Sequence, residues 1–299
     1  MPWLKTRGTS LDHHRAVALP FLENLPKGKP PLLKKIFLTG ASSGIGLATA
    51  KALLADGHEV WGTSRDATRL PQLARFHPVK LDLTQSASID QAWTSALAEA
   101  GTFDVVINNA GAGHFHAAEL LSREVMLGQF ELLVFGSIHL SQLALAAMRA
   151  QNRGLLINLS SLASRLPVPF TAAYNAAKAA MASFTMTMQL ELGDSPIRIV
   201  DLQAADISTE FNDSVVRAPT PDAQLNECMQ RAWQVIDHNM KNAPKPELVA
   251  RRIIRLVHEK NPPPRVTVGD KFQAIIAPMI FALLPPRLRV WGLRQYYKI

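Results

Sequence analysis

The sequence predicts an α/β fold in which helices cover both faces of one parallel sheet. Short apolar strands alternate with helical patterns through the middle of the chain, which is typical of a doubly wound parallel sheet. A glycine-rich segment follows the first of these strands, as expected for a tight turn from a strand into a helix. With 299 residues, 47% of them apolar, the chain is long enough to bury one large core.

The predicted strands and helices occur between two basic terminal segments. We expect strands near 35–39, 58–63, 77–82, 103–108, 154–160, 197–203 and 265–268. We expect helices near 44–56, 86–100, 123–150, 171–192 and 246–259. A single folded domain would therefore cover residues 35–270, between an N-terminal extension (1–34) and a basic, amphipathic C-terminal tail (271–299).

The glycine-rich segment reads Gly40-Ala41-Ser42-Ser43-Gly44-Ile45-Gly46 and follows the strand that ends at Thr39. Glycines at such a turn permit a tight bend and let backbone N–H groups approach a pyrophosphate at the helix N-terminus. The spacing is G-x-x-x-G-x-G, which differs from the general dinucleotide-binding pattern G-x-G-x-x-G. Alone, the segment also fits an ordinary glycine-rich turn between a strand and a helix.

Tyr174 and Lys178 are four residues apart in a segment with helical character. On a helix this spacing places both side chains on one face. A cation beside a phenol favours the phenolate, so we expect Lys178 to lower the pKa of Tyr174 from its usual value of about 10. Such a phenol can transfer protons at neutral pH. Ser161 lies thirteen residues before Tyr174, at the end of an apolar run, where its hydroxyl would hold the oxygen that the phenol protonates.

Two further motifs occur in the same order along the chain. Leu81-Asp82-Leu83 ends one strand, and Asn108-Asn109-Ala110-Gly111 ends the next. Together with T-G-A-S-S-G-I-G and Y-x-x-x-K, they resemble the short-chain dehydrogenase/reductase family, in its compact single-domain branch, over roughly residues 35–270. The resemblance implies a Rossmann-type sheet of about seven strands. It also implies hydride transfer between a nicotinamide cofactor and a carbonyl or alcohol carbon of a small molecule.

The resemblance assigns three catalytic residues. Tyr174 would be the general acid or base, Lys178 would hold the nicotinamide ribose, and Ser161 would orient the substrate oxygen. Ser160 is adjacent, but the thirteen-residue spacing favours Ser161. The cofactor-binding residues that the resemblance implies are Gly40, Ser42, Ser43, Gly44, Ile45, Gly46, Arg65, Asp82, Leu83, Asn109, Ala110, Gly111, Tyr174, Lys178, Ile207 and Thr209.

The end of the second strand predicts which nicotinamide cofactor is bound. An acid at this position would bind the ribose hydroxyls of NAD. The family pattern places Ser64 there, followed by Arg65. A guanidinium suits a 2′-phosphate, so we predict NADP(H), although Arg65 is also compatible with an ordinary surface role.

The sequence departs from the family pattern at two places. Leu133 occupies the position of an asparagine whose carbonyl helps to hold a water in the proton relay of family members, and Ala204-Ala205 replaces the usual Pro-Gly. Because Ser161, Tyr174 and Lys178 are intact, we expect a working oxidoreductase. The alternative is a non-catalytic, NADP(H)-binding regulatory protein. An epimerase or dehydratase of the extended branch is disfavoured by the glycine spacing and the chain length.

The substrate is predicted from the segments that would surround it. Residues 208–245 occupy the position of the family's substrate lid and contain many apolar side chains, as does the loop between Ser161 and Tyr174. A lipophilic alcohol or ketone of the steroid, retinoid or acyl type suits such walls. The same side chains would also serve to pack a helical lid.

The net charge of +8 is unevenly distributed. Residues 1–35 carry seven Lys or Arg and two acids, and residues 241–299 carry twelve and three, so the body between them is acidic. This distribution argues against nucleic acid as a partner. We also expect a homodimer or homotetramer, because the helices near 123–150 and 171–192 form the subunit contacts of the family.

Residues 271–299 contain five basic residues, no acid, and an apolar run from Ala274 to Leu284. A bilayer-spanning helix needs about 20 residues, so this run is too short to cross. Contact with a membrane surface and packing as a C-terminal helix on the core or on a second subunit are both compatible with it. The single Cys228 fits a reducing compartment and argues against a cysteine-based metal site. We therefore predict no metal, and a cytoplasmic protein that is peripheral to a membrane if the tail binds lipid.

Overall fold

Seven parallel strands form the centre of the fold in a computed structural model, which describes residues 32–299. The predicted N-terminal extension thus lies almost entirely outside the described residues. The strands are β1 (Lys35–Leu38), β2 (Glu59–Ser64), β3 (Phe76–Lys80), β4 (Val105–Asn108), β5 (His114–Phe115), β6 (Gly154–Ser161), β7 (Ile197–Ala204), β8 (Val216–Arg217) and β9 (Arg265–Val268). The main sheet has the order β3-β2-β1-β4-β6-β7-β9, and β5 pairs with β8 in a separate two-stranded ribbon.

Nine α-helices accompany the described strands. They are α1 (Gly44–Ala55), α2 (Ser86–Ala100), α3 (Arg123–Phe130), α4 (Gly136–Ala150), α5 (Ala172–Leu192), α6 (Ala223–Asn242), α7 (Glu247–His258), α8 (Ala277–Leu283) and α9 (Pro286–Tyr297). A π-helical turn at Glu131–Phe135 joins α3 to α4, and a second at Phe272–Ile276 precedes α8. The predicted doubly wound α/β fold is confirmed. The helices α6, α8 and α9 lie in the segments predicted to be a lid and a tail.

The strands near the middle of the sheet are buried because helices cover both of their faces. Ile36, Phe37 and Leu38 of β1 are fully buried, which explains why this strand is continuously apolar. The Phe37 ring packs edge-on against Trp93 of α2 and against Phe103, each with a centroid separation of 5.4 Å. This packing fixes α2 on one face of the sheet beside the first strand.

The continuous helix at Arg123–Ala150 has the length and the apolar composition of a membrane-spanning helix, with a mean hydropathy of 1.5 in its most apolar window. In the fold, however, α4 contacts β4 and β6. Its Leu140 and Ala144 are fully buried in that contact region. The apolar composition of this helix is thus explained by packing against the sheet.

A row of hydrogen-bonded polar side chains crosses the buried sheet. The Asn108 side-chain amide donates to Asn158 Oδ1 at 2.8 Å and to Ser141 Oγ at 2.9 Å. The Asn158 amide in turn donates to Thr185 Oγ1 at 3.0 Å. These residues belong to α4, β4, β6 and α5, so the row connects two neighbouring strands with the two helices that cover the same face of them.

The strand order reverses between β1 and β4, and the carboxyl ends of all main strands lie at one edge of the sheet. In doubly wound folds, ligands bind at this edge, close to the reversal. The glycine-rich turn follows β1, the Asn108–Gly111 segment follows β4, and Ser161 is the last residue of β6. The topology therefore brings the sequence motifs together.

Candidate active site

The glycine-rich turn forms a tight backbone cradle at the start of α1. Gly40 and Gly44 adopt φ angles of 70° and 50°, a region that favours glycine. A Cβ atom added to Gly46 would lie 1.9 Å from the Gly40 carbonyl oxygen, so a side chain cannot fit there. The side chain of Ser43, at the N-cap, makes no capping hydrogen bond, and the first N–H groups of α1 are left for another acceptor. This arrangement fits a phosphate group.

Thr39 and Asn109 hold the cradle in place. The Asn109 side-chain amide donates to the carbonyls of Thr39 and Gly40 at 2.8 and 3.1 Å. The backbone N–H groups of Asn109 and Ala110 donate to the buried Thr39 hydroxyl at 2.9 and 3.0 Å. The Asn109 side chain is therefore committed to joining the ends of β1 and β4. Thr39 is a positioning residue that is not among the predicted site residues.

Ser160 and Ser161 point to different partners, as expected for neighbours at the end of a strand. Ser160 donates its hydroxyl proton to the buried Asp201 carboxylate, which also accepts from Arg265 at 2.8 Å. Ser161 accepts from the Ala163 N–H at 3.1 Å and donates to the Ala204 carbonyl at 3.4 Å. Of the two serines, only Ser161 acts on the phenol, because its hydroxyl lowers the pKa of Tyr174.

Tyr174 and Lys178 lie on one face of α5, next to Ser161. The Lys178 ammonium is 5.9 Å from the centroid of the Tyr174 ring and donates to the Leu159 carbonyl at 2.7 Å. Lys178 is only 6% exposed. Burial lowers the pKa of Lys178 to about 8, and the negative charge of Asp201 partly opposes that change.

The expected pKa of Tyr174 is wrong in direction. Burial raises the pKa of Tyr174 above 10, the hydrogen bond from Ser161 lowers it, and the charge of Asp206 raises it further. The low dielectric of the site disfavours the phenolate, and this effect exceeds the expected influence of the lysine. The phenol is therefore protonated at neutral pH in this structure.

Leu133 lies in the π-helical turn and is 1% exposed. It packs with Val134, Ala177 and Tyr174. A Cβ atom added to Gly111 would lie 3.2 Å from Leu133 Cδ2 and 4.0 Å from Lys178 Nζ. Leu133 therefore lies beside the catalytic lysine, where the family pattern has an amide, and it presents an apolar surface instead.

Nearly all predicted site residues line one cavity of about 1130 Å³. Arg65 lies at one end of it, exposed, together with Asp66 and Arg69. Asp82 is the exception, because its carboxylate accepts from the backbone N–H and the hydroxyl of Thr84 at 2.9 and 2.8 Å, and it does not line the cavity. The prediction that Asp82 binds cofactor is therefore not supported by its position. Its neighbours Leu81 and Leu83 do line the cavity.

The other end of the cavity is enclosed by the lid and by the C-terminal helices. Its lining includes Trp233 and Ile236 of α6, Ile280 and Phe281 of α8, and Leu288 of α9. Tyr297, near the end of α9, is 9% exposed. The segment predicted as a tail thus forms part of a cavity wall. Its apolar pattern did not reveal which of its faces would be buried.

One further group of polar side chains lies away from the cavity, at the amino ends of the strands. The Asp56 carboxylate is 3.1 Å from His58 Nε2 and 2.6 Å from His258 Nε2. Burial raises the pKa of Asp56, but the hydrogen bonds from both histidines outweigh it, and the pKa falls below its ordinary value. The spacing of this cluster would permit a metal ion. Its geometry equally suits a polar contact between α1 and α7.

Known proteins resemble this chain along most of its length. A model of the short chain dehydrogenase family matches residues 34–220. The chain is also 32% identical over 266 residues to a 3-ketodihydrosphingosine reductase of Bacteroides thetaiotaomicron, across 88% of this chain and 98% of that protein. The chain belongs to the short-chain dehydrogenase/reductase family. The resemblance inferred from the motifs is therefore confirmed, and with it an oxidoreductase family that binds nicotinamide cofactors and small-molecule substrates.

Solved structures of the family share the fold. A short-chain dehydrogenase from Streptomyces avermitilis superposes with a TM-score of 0.74 at 25% identity, over 89% of this chain and 97% of that one. A 3-ketoacyl-(acyl-carrier-protein) reductase from Brucella melitensis, complexed with NADH, has a TM-score of 0.64 at 25% identity, over 75% and 90% of the two chains.

Proposed function

We propose that this protein is an NADP(H)-dependent reductase that acts on the carbonyl group of a long-chain, lipophilic substrate. The cavity carries this proposal, because it extends from the glycine cradle, past Ser161, Tyr174 and Lys178, to an apolar wall of the lid and C-terminal helices. Its volume exceeds the roughly 300–1,000 Å³ of an ordinary ligand pocket, so it suits a cofactor and a substrate together. The similar Bacteroides protein is named for 3-ketodihydrosphingosine, a ketone with a long alkyl chain, and we propose a substrate of this class.

The residues present fit a nicotinamide dinucleotide. The cradle at Gly40–Gly46 suits a phosphate group, and Lys178, which lines the same cavity, would hold the nicotinamide ribose. NADP(H) is favoured over NAD(H) because two cations, Arg65 and Arg69, line the cavity next to the end of β2. Asp66 lies between them, but its carboxylate accepts from the N–H and hydroxyl of Thr68 at 3.0 and 2.6 Å. Arg65 would therefore face the 2′-phosphate.

When bound, the cofactor supplies the hydride that reduces the carbonyl carbon. Ser161 would hold the carbonyl oxygen through its hydroxyl, and Tyr174 would donate its phenolic proton to that oxygen. Because burial raises the pKa of Tyr174, the protonated phenol suits an acid in reduction better than a base in oxidation. The Lys178 ammonium would orient the ribose and favour the developing phenolate through its charge.

A comparison of ketones tests this proposal. With NADPH, the rate should be followed at the absorbance of the reduced nicotinamide for 3-ketodihydrosphingosine and for shorter ketones. Each methylene group that reaches the apolar wall contributes about 0.8 kcal/mol, so kcat/KM should rise roughly fourfold for each. An enzyme that reduces short ketones as well as long ones would contradict the lipophilic substrate. A protein that binds NADPH but reduces no ketone would support the non-catalytic alternative.

We also propose that the outer face of α8 and α9 binds an anionic membrane surface, and that the protein is a cytoplasmic, peripheral one. Met279, Leu283 and Trp291 are 61%, 82% and 62% exposed, and the exposed Arg287 and Arg294 belong to the same segment. Apolar side chains among cations, with no acid between residues 271 and 299, suit the interface of an anionic bilayer. A lipophilic substrate would then reach the cavity from the membrane.

Charge substitutions on this face test the proposal without removing the cavity wall. Leu283→Glu and Trp291→Glu should reduce binding to vesicles that contain phosphatidylserine and leave the reduction of a short, soluble ketone unchanged. Binding of the wild type should fall as salt is added. A wild-type protein that ignores anionic vesicles at low salt would refute the membrane contact. If the substitutions instead change the oligomeric state, the face would be a contact between subunits.

Self-association through α3 to α5 is the remaining proposal. Phe135, Met186 and Leu190 are 49%, 48% and 75% exposed on these helices. Apolar exposure of this kind favours contact with a second copy, and we expect a homodimer or homotetramer. Sedimentation of the wild type and of a Leu190→Glu variant tests this, because a monomeric wild type would contradict it.

A further inference from the structure

Asp206 lines the cavity and lies outside the catalytic sequence motifs. Asp206 lies two residues after the end of β7, at the same edge of the sheet as Ser161, and is partly buried. Its Oδ2 accepts from the Gln273 side-chain amide at 2.6 Å, and its backbone N–H donates to Gln273 Oε1 at 3.2 Å. Gln273 belongs to the π-helical turn before α8. This two-point contact fixes the direction of the carboxylate.

Within residues 32–299, no lysine, arginine or histidine forms an ion pair with Asp206. Arg289 also lines the cavity, but its guanidinium donates to the carbonyls of Leu284 and Ala282 at 2.7 and 2.9 Å. Burial raises the pKa of Asp206, the Gln273 bond lowers it, and the charge of Asp270 raises it again. A carboxylate in this setting would be stabilised by a cation brought in from solution.

Asp206 also lies close enough to the catalytic tyrosine for its charge to act on it. That charge contributes to the raised pKa of Tyr174, and it raises the pKa values of Tyr296 and Tyr297 as well. Asp206, Tyr174, Tyr296 and Tyr297 line the same cavity, and Asp206 lies two residues after Ala204, the sheet partner of Ser161. A group bound by Asp206 would lie near the atom that Tyr174 protonates.

We propose that Asp206, oriented by Gln273, binds an ammonium group on the carbon next to the reacting carbonyl, so that the enzyme selects α-amino ketones. This inference rests on the proposed function, because it concerns the same cavity and the same carbonyl. The alkyl chain of the ketone would extend along the apolar wall. 3-Ketodihydrosphingosine is such a ketone, with its amino group on the carbon beside the carbonyl.

An ammonium group at Asp206 would also assist proton transfer. The negative charge of Asp206 makes it harder for Tyr174 to lose its proton. A substrate cation that neutralises this charge removes that obstacle, so the phenol becomes a better acid when the correct substrate is bound. A ketone without the amino group would leave the obstacle in place. Asp206 would therefore contribute to specificity in turnover as well as in binding.

The test compares two ketones of the same chain length that differ only in the amino group. For each, kcat/KM is measured with NADPH for the wild type, for Asp206→Asn and for Asp194→Asn. The wild type should prefer the amino ketone. Asparagine keeps the shape of the side chain and an oxygen that accepts from Gln273, so Asp206→Asn should lower kcat/KM for the amino ketone by about ten- to a hundred-fold and leave the other ketone nearly unchanged. Asp194→Asn removes an exposed charge outside the cavity and should change neither.

An equal loss for both ketones in Asp206→Asn would overturn the inference, because it would assign Asp206 to holding α8 in place. A wild type without preference for the amino ketone would overturn it as well.

Calorimetry separates this result from failure of the proposed reaction. Water-soluble, shorter homologues of the 2-amino alcohol and of the plain alcohol are titrated into the complex with NADP⁺. If neither ketone is reduced, tighter amine binding that Asp206→Asn abolishes still supports the ammonium site, and equal binding overturns it.

Discussion

Binding of NADPH should weaken above pH 8, where the buried ammonium of Lys178 loses its proton. Burial lowers the pKa of Lys178 to about 8. A cation with a lowered pKa is charged below that value and becomes neutral as the pH rises through it. About nine tenths of the Lys178 side chains are protonated at pH 7, and about one tenth at pH 9. The phenol of Tyr174 remains neutral over this range, because its pKa is raised.

The size of the effect follows from the bond that is lost. A hydrogen bond from the ammonium to a ribose hydroxyl contributes about 1.5–3 kcal/mol, or roughly ten- to a hundred-fold in the dissociation constant. The dissociation constant should therefore begin to rise near pH 8 and level off about one to two pH units higher, where the lysine of the complex also loses its proton.

Fluorescence titration with NADPH from pH 6 to 10, at constant ionic strength, measures this profile. Lys178→Arg keeps a cation at every pH and should remove the rise, whereas Tyr174→Phe should retain it. Thermal unfolding of both variants checks that they remain folded. A flat wild-type profile, or the same rise in Lys178→Arg, would refute the assignment of this titration to Lys178.

Three substitutions give further predictions. Tyr174→Phe removes the acidic proton and should lower turnover by at least about a hundred-fold while NADPH still binds; near-normal turnover would exclude Tyr174 as the acid. Arg65→Ala should weaken the binding of NADPH by roughly ten-fold, at the low end for a charged hydrogen bond because Arg65 is exposed, and should leave the binding of NADH unchanged. The control Lys51→Ala, which removes another exposed cation, should change the binding of neither cofactor. Equal weakening of both cofactors would make Arg65 structural. Leu133→Asn should raise turnover if a missing relay limits it, at a cost in melting temperature because the site is buried; unchanged turnover in a folded variant would indicate another proton route.

The sheet and the cradle could be predicted from the sequence because local residue patterns determine them. Glycines at positive φ mark the turn at Gly40 and Gly44, and apolar runs of four to eight residues mark the buried strands. The helical spacing of Tyr174 and Lys178 likewise places both on one face. These features depend on residues that are close together in the sequence, so a short motif is enough to predict them.

The electrostatics of the site could not be predicted in the same way. The pKa of Tyr174 depends on its burial and on Asp206, which comes from a different part of the chain. The carboxylate of Asp82 follows a strand as the family pattern requires, yet its hydrogen bonds to Thr84 turn it away from the cavity. The first outcome is set by tertiary packing, and the second by a local turn that the family pattern does not specify.

The C-terminal helices show a different limit of sequence reasoning. Their apolar residues occur on both the cavity face, as with Phe281, and the exposed face, as with Leu283. A helix with apolar residues on two faces is predicted to make apolar contacts, but the pattern does not identify what each face contacts. The sequence alone therefore does not tell which apolar residues of α8 and α9 line the cavity and which are exposed.

The buried row of Asn108, Asn158 and Thr185 has a mechanical consequence for catalysis. Asn158 lies three residues before Ser161 on β6, and Thr185 lies on the helix that carries Tyr174. Sliding α5 along β6 would break buried hydrogen bonds and leave amide groups unpaired, at a cost of about 1–3 kcal/mol for each. The strand and the helix should therefore move as one rigid body during lid opening, so that the separation of the serine and tyrosine hydroxyls is conserved through each turnover. In hydrogen-exchange experiments, the amides of β6 and of the middle of α5 should open together, more slowly than those of α6.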